Sequence, residues 1–153
     1  MRWRTLAIGV AAALLGFTVG ELGLARAAAP NGRTLVVVQQ PPEQQYIDLG
    51  APGTSPGDIL AFHSALTDTT GNGIGDLNIQ CGVNFSGLAV CLGIFSIDAR
   101  GQLSVDALPE FPLAATGIVT GGSGDFRNVR GDADIEPQAN GTTLITFHLI
   151  GAG

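Results

Sequence analysis

Short runs of β-branched and aliphatic residues recur along the chain, each closed off by glycine, proline, asparagine or aspartate. The first, Leu35 to Val38, suits a strand. Gln39 to Gln45 contains Pro41 and Pro42, which cannot donate to a ladder, so it reads as a connection or an edge. Tyr46 to Leu49 reads as a short extension before a loop over Gly50 to Gly57. Further strand-like runs follow at Ile59 to Leu66, Ile74 to Val83, Leu88 to Ile97 and Gln102 to Ala107. The last three are Ala114 to Thr120, Phe126 to Ile135 and Thr142 to Ile150. Turn residues separate them, with Asn140 and Gly141 as a hairpin signal. No segment keeps a helical period over three turns. Eight strands at even spacing predict an all-β, eight-stranded antiparallel β-barrel, because closure removes the sheet edges. A sandwich with the same strand count also fits the pattern.

One stretch breaks the alternation. Ile118, Val119 and Thr120 stop at Gly121, Gly122, Ser123 and Gly124, and a second run leaves at Phe126. Three glycines in four positions predict a tight corner that needs positive φ or close backbone approach. A phosphate cradle is the competing reading, but no helix pattern follows to aim an N-terminus at an anion.

Composition changes the picture chiefly at the N-terminus. Arg2 and Arg4 precede an apolar run from Leu6 to Gly20, and Ala25 to Ala29 supplies small residues. This is the layout of a secretory signal peptide over residues 1–29, with cleavage after Ala27 or Ala29. A retained anchor is the alternative, though the run is short for a span of about 20 residues. The expectation is a secreted or cell-envelope protein, with no membrane span after signal cleavage and a single β-barrel domain over residues 30–153. Loss of the leader removes Arg2, Arg4, Arg26 and Glu21. The 7 basic residues, all arginine, then fall to four and the 13 acids to twelve, a net charge near −8. Without clustered cations, nucleic acid and anionic membrane surfaces are poor partners.

The corner also carries a resemblance. Residues 121–131 resemble the GGTG-x-F-x-x-ARG segment of plant dirigent proteins and the GGSG-x-F segment of allene oxide cyclases. Gly57 to Phe62 resembles the opening of that family's second strand, Asp68 to Gly75 its glycine-rich hairpin, and Asp98 to Leu103 the turn before its fifth strand. Cys81 sits where the cyclases often place a cysteine. The similarity covers most of residues 34–150 and implies the allene oxide cyclase/dirigent-like barrel. The cyclase residues thought to act on the epoxide register near Leu35, Val37 and Ser64, which argues against allene oxide cyclase activity itself.

Chemistry has few carriers. Cys81 and Cys91 are equidistant from a hairpin turn near Ser86, so they would face each other across paired strands. A structural disulfide, worth roughly 3 kcal/mol, is expected in an exported chain. A redox or metal pair would want closer spacing and more ligands. Asp68, Asn72, Gly73 and Asp76 resemble half a calcium loop, but Thr70 and Ile79 stand where strong ligands belong, so a hairpin turn is expected. His63 and His148 are isolated and are expected to hydrogen-bond within a core, with no metal and no cofactor. Acid–base candidates are Tyr46, Asp58, Glu110, Asp125 and Arg130, because a carboxylate or phenol in an apolar pocket has its pKa raised and can donate a proton. Tyr46, Asp125 and Arg130 stand as the catalytic candidates; the resemblance matches Asp125 and Arg130 to the dirigent motif. The competing reading has Asp125 capping the turn and Arg130 paired on the surface.

Two strands, Leu88 to Ile97 and Thr142 to Ile150, are apolar on both parities. A barrel wall has one inward face, so the surplus predicts burial against another chain. The related families form trimers, and a homotrimer is expected. Two functions remain open. One is a secreted module that binds a small apolar molecule in the barrel. The other is a cofactor-independent cyclase, isomerase or coupling-guiding enzyme that works by holding reactive atoms together.

Overall fold

The computed structural model describes residues 32–108 and 115–151. The expected signal peptide and Glu110 lie outside the described residues. Nine strands are present: β1 Arg33–Gln39, β2 Glu43–Ile47, β3 Ile59–Thr67, β4 Gly73–Val83 and β5 Ala89–Ile97. They continue with β6 Gly101–Ala107, β7 Ala115–Gly122, β8 Arg130–Pro137 and β9 Thr143–Ile150. A single 3-10 turn, Gly124–Phe126, is the one helical element among the described residues.

All pairings are antiparallel, and from β3 to β9 each strand pairs with the next. β9 pairs β1 over its whole length, from Arg33↔Leu149 to Gln39↔Thr143. β1 then closes the barrel on β3 through Val38↔Thr67 and Gln39↔Leu66, reinforced by Gln40 N donating to Ala65 O at 3.0 Å. Beyond Pro41 and Pro42 the chain continues along β3 as β2, from Glu43↔His63 to Ile47↔Ile59. β1 and β2 therefore share one wall, and the barrel has eight. The break expected over Gln39 to Gln45 is narrower than the composition implied: only residues 40–42 lie between the strands β1 and β2. The edge reading holds, since β2 has a second neighbour nowhere among the described residues.

The barrel has two ends. One carries the β3–β4 and β5–β6 turns and the glycine corner between β7 and β8. The other, here the mouth, carries the β2–β3 loop and the β4–β5 and β8–β9 hairpins. At the corner end the interior is packed by Val37, Leu66, Leu77, Phe95, Ile97, Leu103, Phe126, Val129, Phe147 and Leu149, all buried. Phe95 and Phe147 meet edge to face with centroids 5.0 Å apart, a favoured aromatic geometry.

The corner differs from its expected form. A strand from Phe126 would put residues 126 and 129 on opposite faces, yet Phe126 and Val129 are both fully buried. Spacing of three is the period of a 3-10 turn, and Phe126 N and Arg127 N donate to Ser123 O and Gly124 O. β8 accordingly starts at Arg130. The glycines are needed sterically: a Cβ on Gly122 would sit 2.4 Å from Gln102 O, and Gly124 has φ +60 with Arg100 O 2.3 Å from that position. Phe126 is thereby turned inward as a plug, with the Arg33 and Arg100 guanidiniums over its ring at 5.4 and 4.9 Å.

Candidate functional site

The inner wall changes character toward the mouth. Cys81 and Cys91 are direct cross-strand partners with Cα atoms 4.0 Å apart, and they form the expected disulfide. Around them the inward positions are small: Ser64, Gly93, Ala107, Gly117 and Ala133, next to half-buried Leu60, Phe62, Ile79 and Ile135. The packing at these small positions is not uniform. A Cβ on Gly117 would lie 2.5 Å from Val105, whereas one on Gly93 would make only ordinary contacts. Polar groups on this lining are few, and Gln39 Nε2 donates to Ser64 Oγ at 3.0 Å.

At the rim, Tyr46 is paired with Leu60 on the inner face of the β2–β3 ladder. Its hydroxyl donates to the Asp58 carboxylate. Asp58 is fully buried and also accepts from Leu49 N at 2.9 Å, Ser55 N at 2.6 Å and Ser55 Oγ at 3.3 Å. One carboxylate thus gathers both ends of the β2–β3 loop. The Tyr46 hydrogen bond, with the backbone donors of Leu49 and Ser55, holds Asp58 down at about 2. The same bond, with desolvation, pushes the Tyr46 phenol up. The sequence expectation of a raised carboxylate is therefore reversed at Asp58: donors to the anion outweigh the cost of burying it. This pair is a fixed anion with a committed donor, not a ready acid.

Asp125 and Arg130 sit at the other end of the barrel, beside the glycine corner. Asp125 faces Arg100 across 3.5 Å, both well exposed, and its backbone oxygen accepts from Arg33 Nη2 at 2.6 Å. Arg130 is exposed and donates through Nη1 to Val129 O at 2.6 Å. The three catalytic candidates are not brought together, since Tyr46 is a barrel length away. Asp68 is used up by its own turn, accepting from Thr70 N, Thr70 Oγ1, Asn72 N and Asn72 Nδ2 at 2.7–2.9 Å. Those donors hold its pKa well below the ordinary range, as a hairpin turn requires.

The histidines are not in the core. His63 lies on the outer wall 3.5 Å from Asp76, and His148 lies 3.0 Å from Asp134. Strand alternation turns both rings outward, and each finds a carboxylate on the neighbouring strand. Asp132, the direct partner of His148, completes a trio whose donor atoms lie within 4.8 Å of one another. The signal for it, Asp132 and Asp134 two apart on one face, was in the sequence; the register that adds His148 was not. A hollow of about 560 Å³ also lies on the outer wall, bordered by Glu43, Gln45, Ala61, His63, Asn78 and Gln80. Among the described residues no helix is long and apolar enough to cross a membrane.

No family model and no curated protein matches the chain. Solved structures do. A pyocyanin demethylase matches with a TM-score of 0.68 at 22% identity, over 77% of this chain and 100% of its own. The pterocarpan synthase dirigent protein GePTS1 matches with 0.58 at 13%, over 77% and 82%. The Diels Alderase AbmU from Streptomyces koyangensis matches with 0.59 at 17%, over 84% and 75%. The chain shares the barrel of dirigent and cyclase proteins, as its motifs implied. At such identities the likeness is one of fold, which many chemistries share.

Proposed function

We propose that this chain is an exported barrel protein that receives a small apolar molecule at its mouth. The observation that carries the reading is the contrast within the barrel interior. The corner end and middle of the barrel are packed by large apolar side chains, and toward the mouth the inward positions include the small residues Ser64, Gly93 and Ala107 beside half-buried Leu60 and Phe62. Small apolar walls with one or two placed polar groups are what a ligand seat for an apolar molecule needs. Tyr46 and Asp58 supply a rigid polar point at the rim, and Gln39 with Ser64 a second one inside. Exposed outer-wall residues Val90, Leu92 and Ile118 support the homotrimer as the assembled form.

The test is a binding titration with the neutral dye Nile red. Gly93→Leu adds a branched side chain to the inner wall toward the mouth and is expected to reduce binding at least tenfold, with an unchanged far-ultraviolet circular dichroism spectrum. Undiminished binding to the folded variant would overturn the reading.

A second reading is favoured by the Tyr46–Asp58 pair. A cyclase or coupling-guiding enzyme needs an oriented polar group beside an apolar seat, and works by positioning. Here Tyr46 orients the substrate through its hydroxyl, with Asp58 fixing the phenol. Asp125 and Arg130 hold the corner in this reading. Tyr46→Phe should then abolish turnover of any substrate found while leaving Nile red binding intact. Turnover that survived in Tyr46→Phe would leave the carrier alone.

A further inference from the structure

Of the ten exposed large apolar residues among the described ones, Val90, Leu92 and Ile118 lie on the outer wall and Ile150 at the corner end. Leu49, Phe85, Leu88 and Leu108 are 62%, 97%, 49% and 59% exposed, and all belong to the mouth end. They follow one another around the rim. Leu49 N is bonded to Asp58, whose backbone pairs with Val83 next to the β4–β5 hairpin tip at residues 84–88. Leu108 follows Ala107, the ladder partner of Cys91 on β5. Three separate segments therefore contribute apolar side chains to one end face of the barrel.

Phe85 is displayed by a rigid device. Ser86 N, Ser86 Oγ and Leu88 N donate to Asn84 Oδ1, and Asn84 N and Leu88 O close the turn at 2.9 Å. Below it the Cys81–Cys91 disulfide ties the two strands. A phenylalanine held outward by a stapled hairpin has already lost the freedom that docking would otherwise cost. Charge is segregated as well. Arg33, Arg100, Arg127 and Arg130, the arginines of the described residues, all lie at the corner end. The mouth end has acids nearby, Asp48 and Glu136, and no cation among the described residues.

We propose that this rim docks end-on to the surface of an uncharged, zwitterionic lipid bilayer, with Phe85, Leu88, Leu49 and Leu108 entering the headgroup boundary. Apolar residues from several loops on one end face match a planar interface better than a peptide groove. The absence of cations there, beside acids, selects against anionic lipid. The proposal stands apart from ligand binding, since docking is read on lipid alone.

The walls of the barrel all lie within residues 33–150, so protein beginning at residue 30 contains the whole fold and omits the apolar leader, which would partition by itself. It also lacks Trp3, the one tryptophan of the chain. Phe85→Trp then makes a single reporter. Phosphatidylcholine vesicles are expected to shift its emission to the blue and to carry the protein upward in flotation. In the otherwise native chain, Phe85→Ser with Leu88→Ser should cut the floated fraction at least tenfold, a floor below the roughly hundredfold or more that fully burying two such side chains contributes. The melting temperature should stay the same. Unshifted emission with phosphatidylcholine overturns the proposal, as does stronger binding to phosphatidylglycerol. Emission already blue-shifted without lipid, and rising with protein concentration, would assign the rim to a second copy and overturn it too.

Discussion

The two ends of the barrel solve opposite problems with the same hairpin chemistry. At the corner end, glycines let backbone segments approach within contact distance, Phe126 turns inward, and two guanidiniums cover its ring. At the mouth, turn residues of the same kind hold Phe85 in water, and small residues such as Ser64, Gly93 and Ala107 stand among the inward positions. The difference places the bulk of the packing that holds the fold at one end. Large buried side chains at one end carry the fold, so the other end is free to keep small walls and an apolar rim.

The sharpest way to break this comparison is Phe147→Ala. It removes the ring that meets Phe95 in the packed half and should cost about 3–5 kcal/mol, read by chemical denaturation. A cost near that of a mouth substitution would mean the packed half does not dominate stability. Next in size, replacing both Cys81 and Cys91 by alanine should cost about 2–4 kcal/mol. It should also speed hydrogen exchange over residues 84–88 more than at the β5–β6 turn. Equal protection at both turns would show that the disulfide does not stiffen the mouth.

Gly124→Ala and Gly87→Ala compare the ends directly. Both glycines have positive φ, +60 and +78, but only Gly124 also meets backbone at its Cβ position. Gly87→Ala should cost about 1–2 kcal/mol from the left-handed conformation alone. Gly124→Ala should exceed it, by about 1–3 kcal/mol, from the clash with Arg100 O. Thermal melts of the two variants decide it, and equal costs would falsify the steric account of the corner.

The smallest effect is in acid. Asp58 has its pKa depressed to about 2, so its contribution is present above the unfolded value of about 3.9. That contribution is lost as pH falls from about 4 through about 2. The β2–β3 loop should therefore loosen in that window, followed by proteolysis at residues 48–57 using an acid protease. In Asp58→Asn the loop should be cut equally well at pH 5 and pH 2.5. If the native chain behaved like that variant, the carboxylate would not be what gathers the loop.

Much of the fold was legible in the chain. Strands alternate with a period of two, turns need glycine, asparagine or aspartate, and these are short-range demands that each segment answers alone. Asn84 to Gly87 and Asp68 to Gly73 read as turns because their side chains bond their own backbone. The cysteines could be paired because both lie the same distance from one such turn. Alternation alone assigns Phe126 to a strand, because the corner's period of three covers too few residues to stand out.

What the sequence by itself determined was therefore local: which residues form strands, where hairpins turn, and that Cys81 meets Cys91. Only the tertiary structure decided that β1 leaves β9 to close on β3, because closure depends on the summed stagger of eight walls. It also decided which end each residue joins. Tyr46, Asp125 and Arg130 are equally plausible acid–base residues in one dimension, and the barrel sends Tyr46 to the mouth and the other two to the corner. Asp58 is a carboxylate in an apolar neighbourhood by sequence, but its pKa direction follows from donors contributed by Tyr46, Leu49 and Ser55. Cross-strand register likewise set His148 beside Asp132. Such neighbours are distant in the chain, and no local pattern encodes a contact that only a ladder or a closed loop creates.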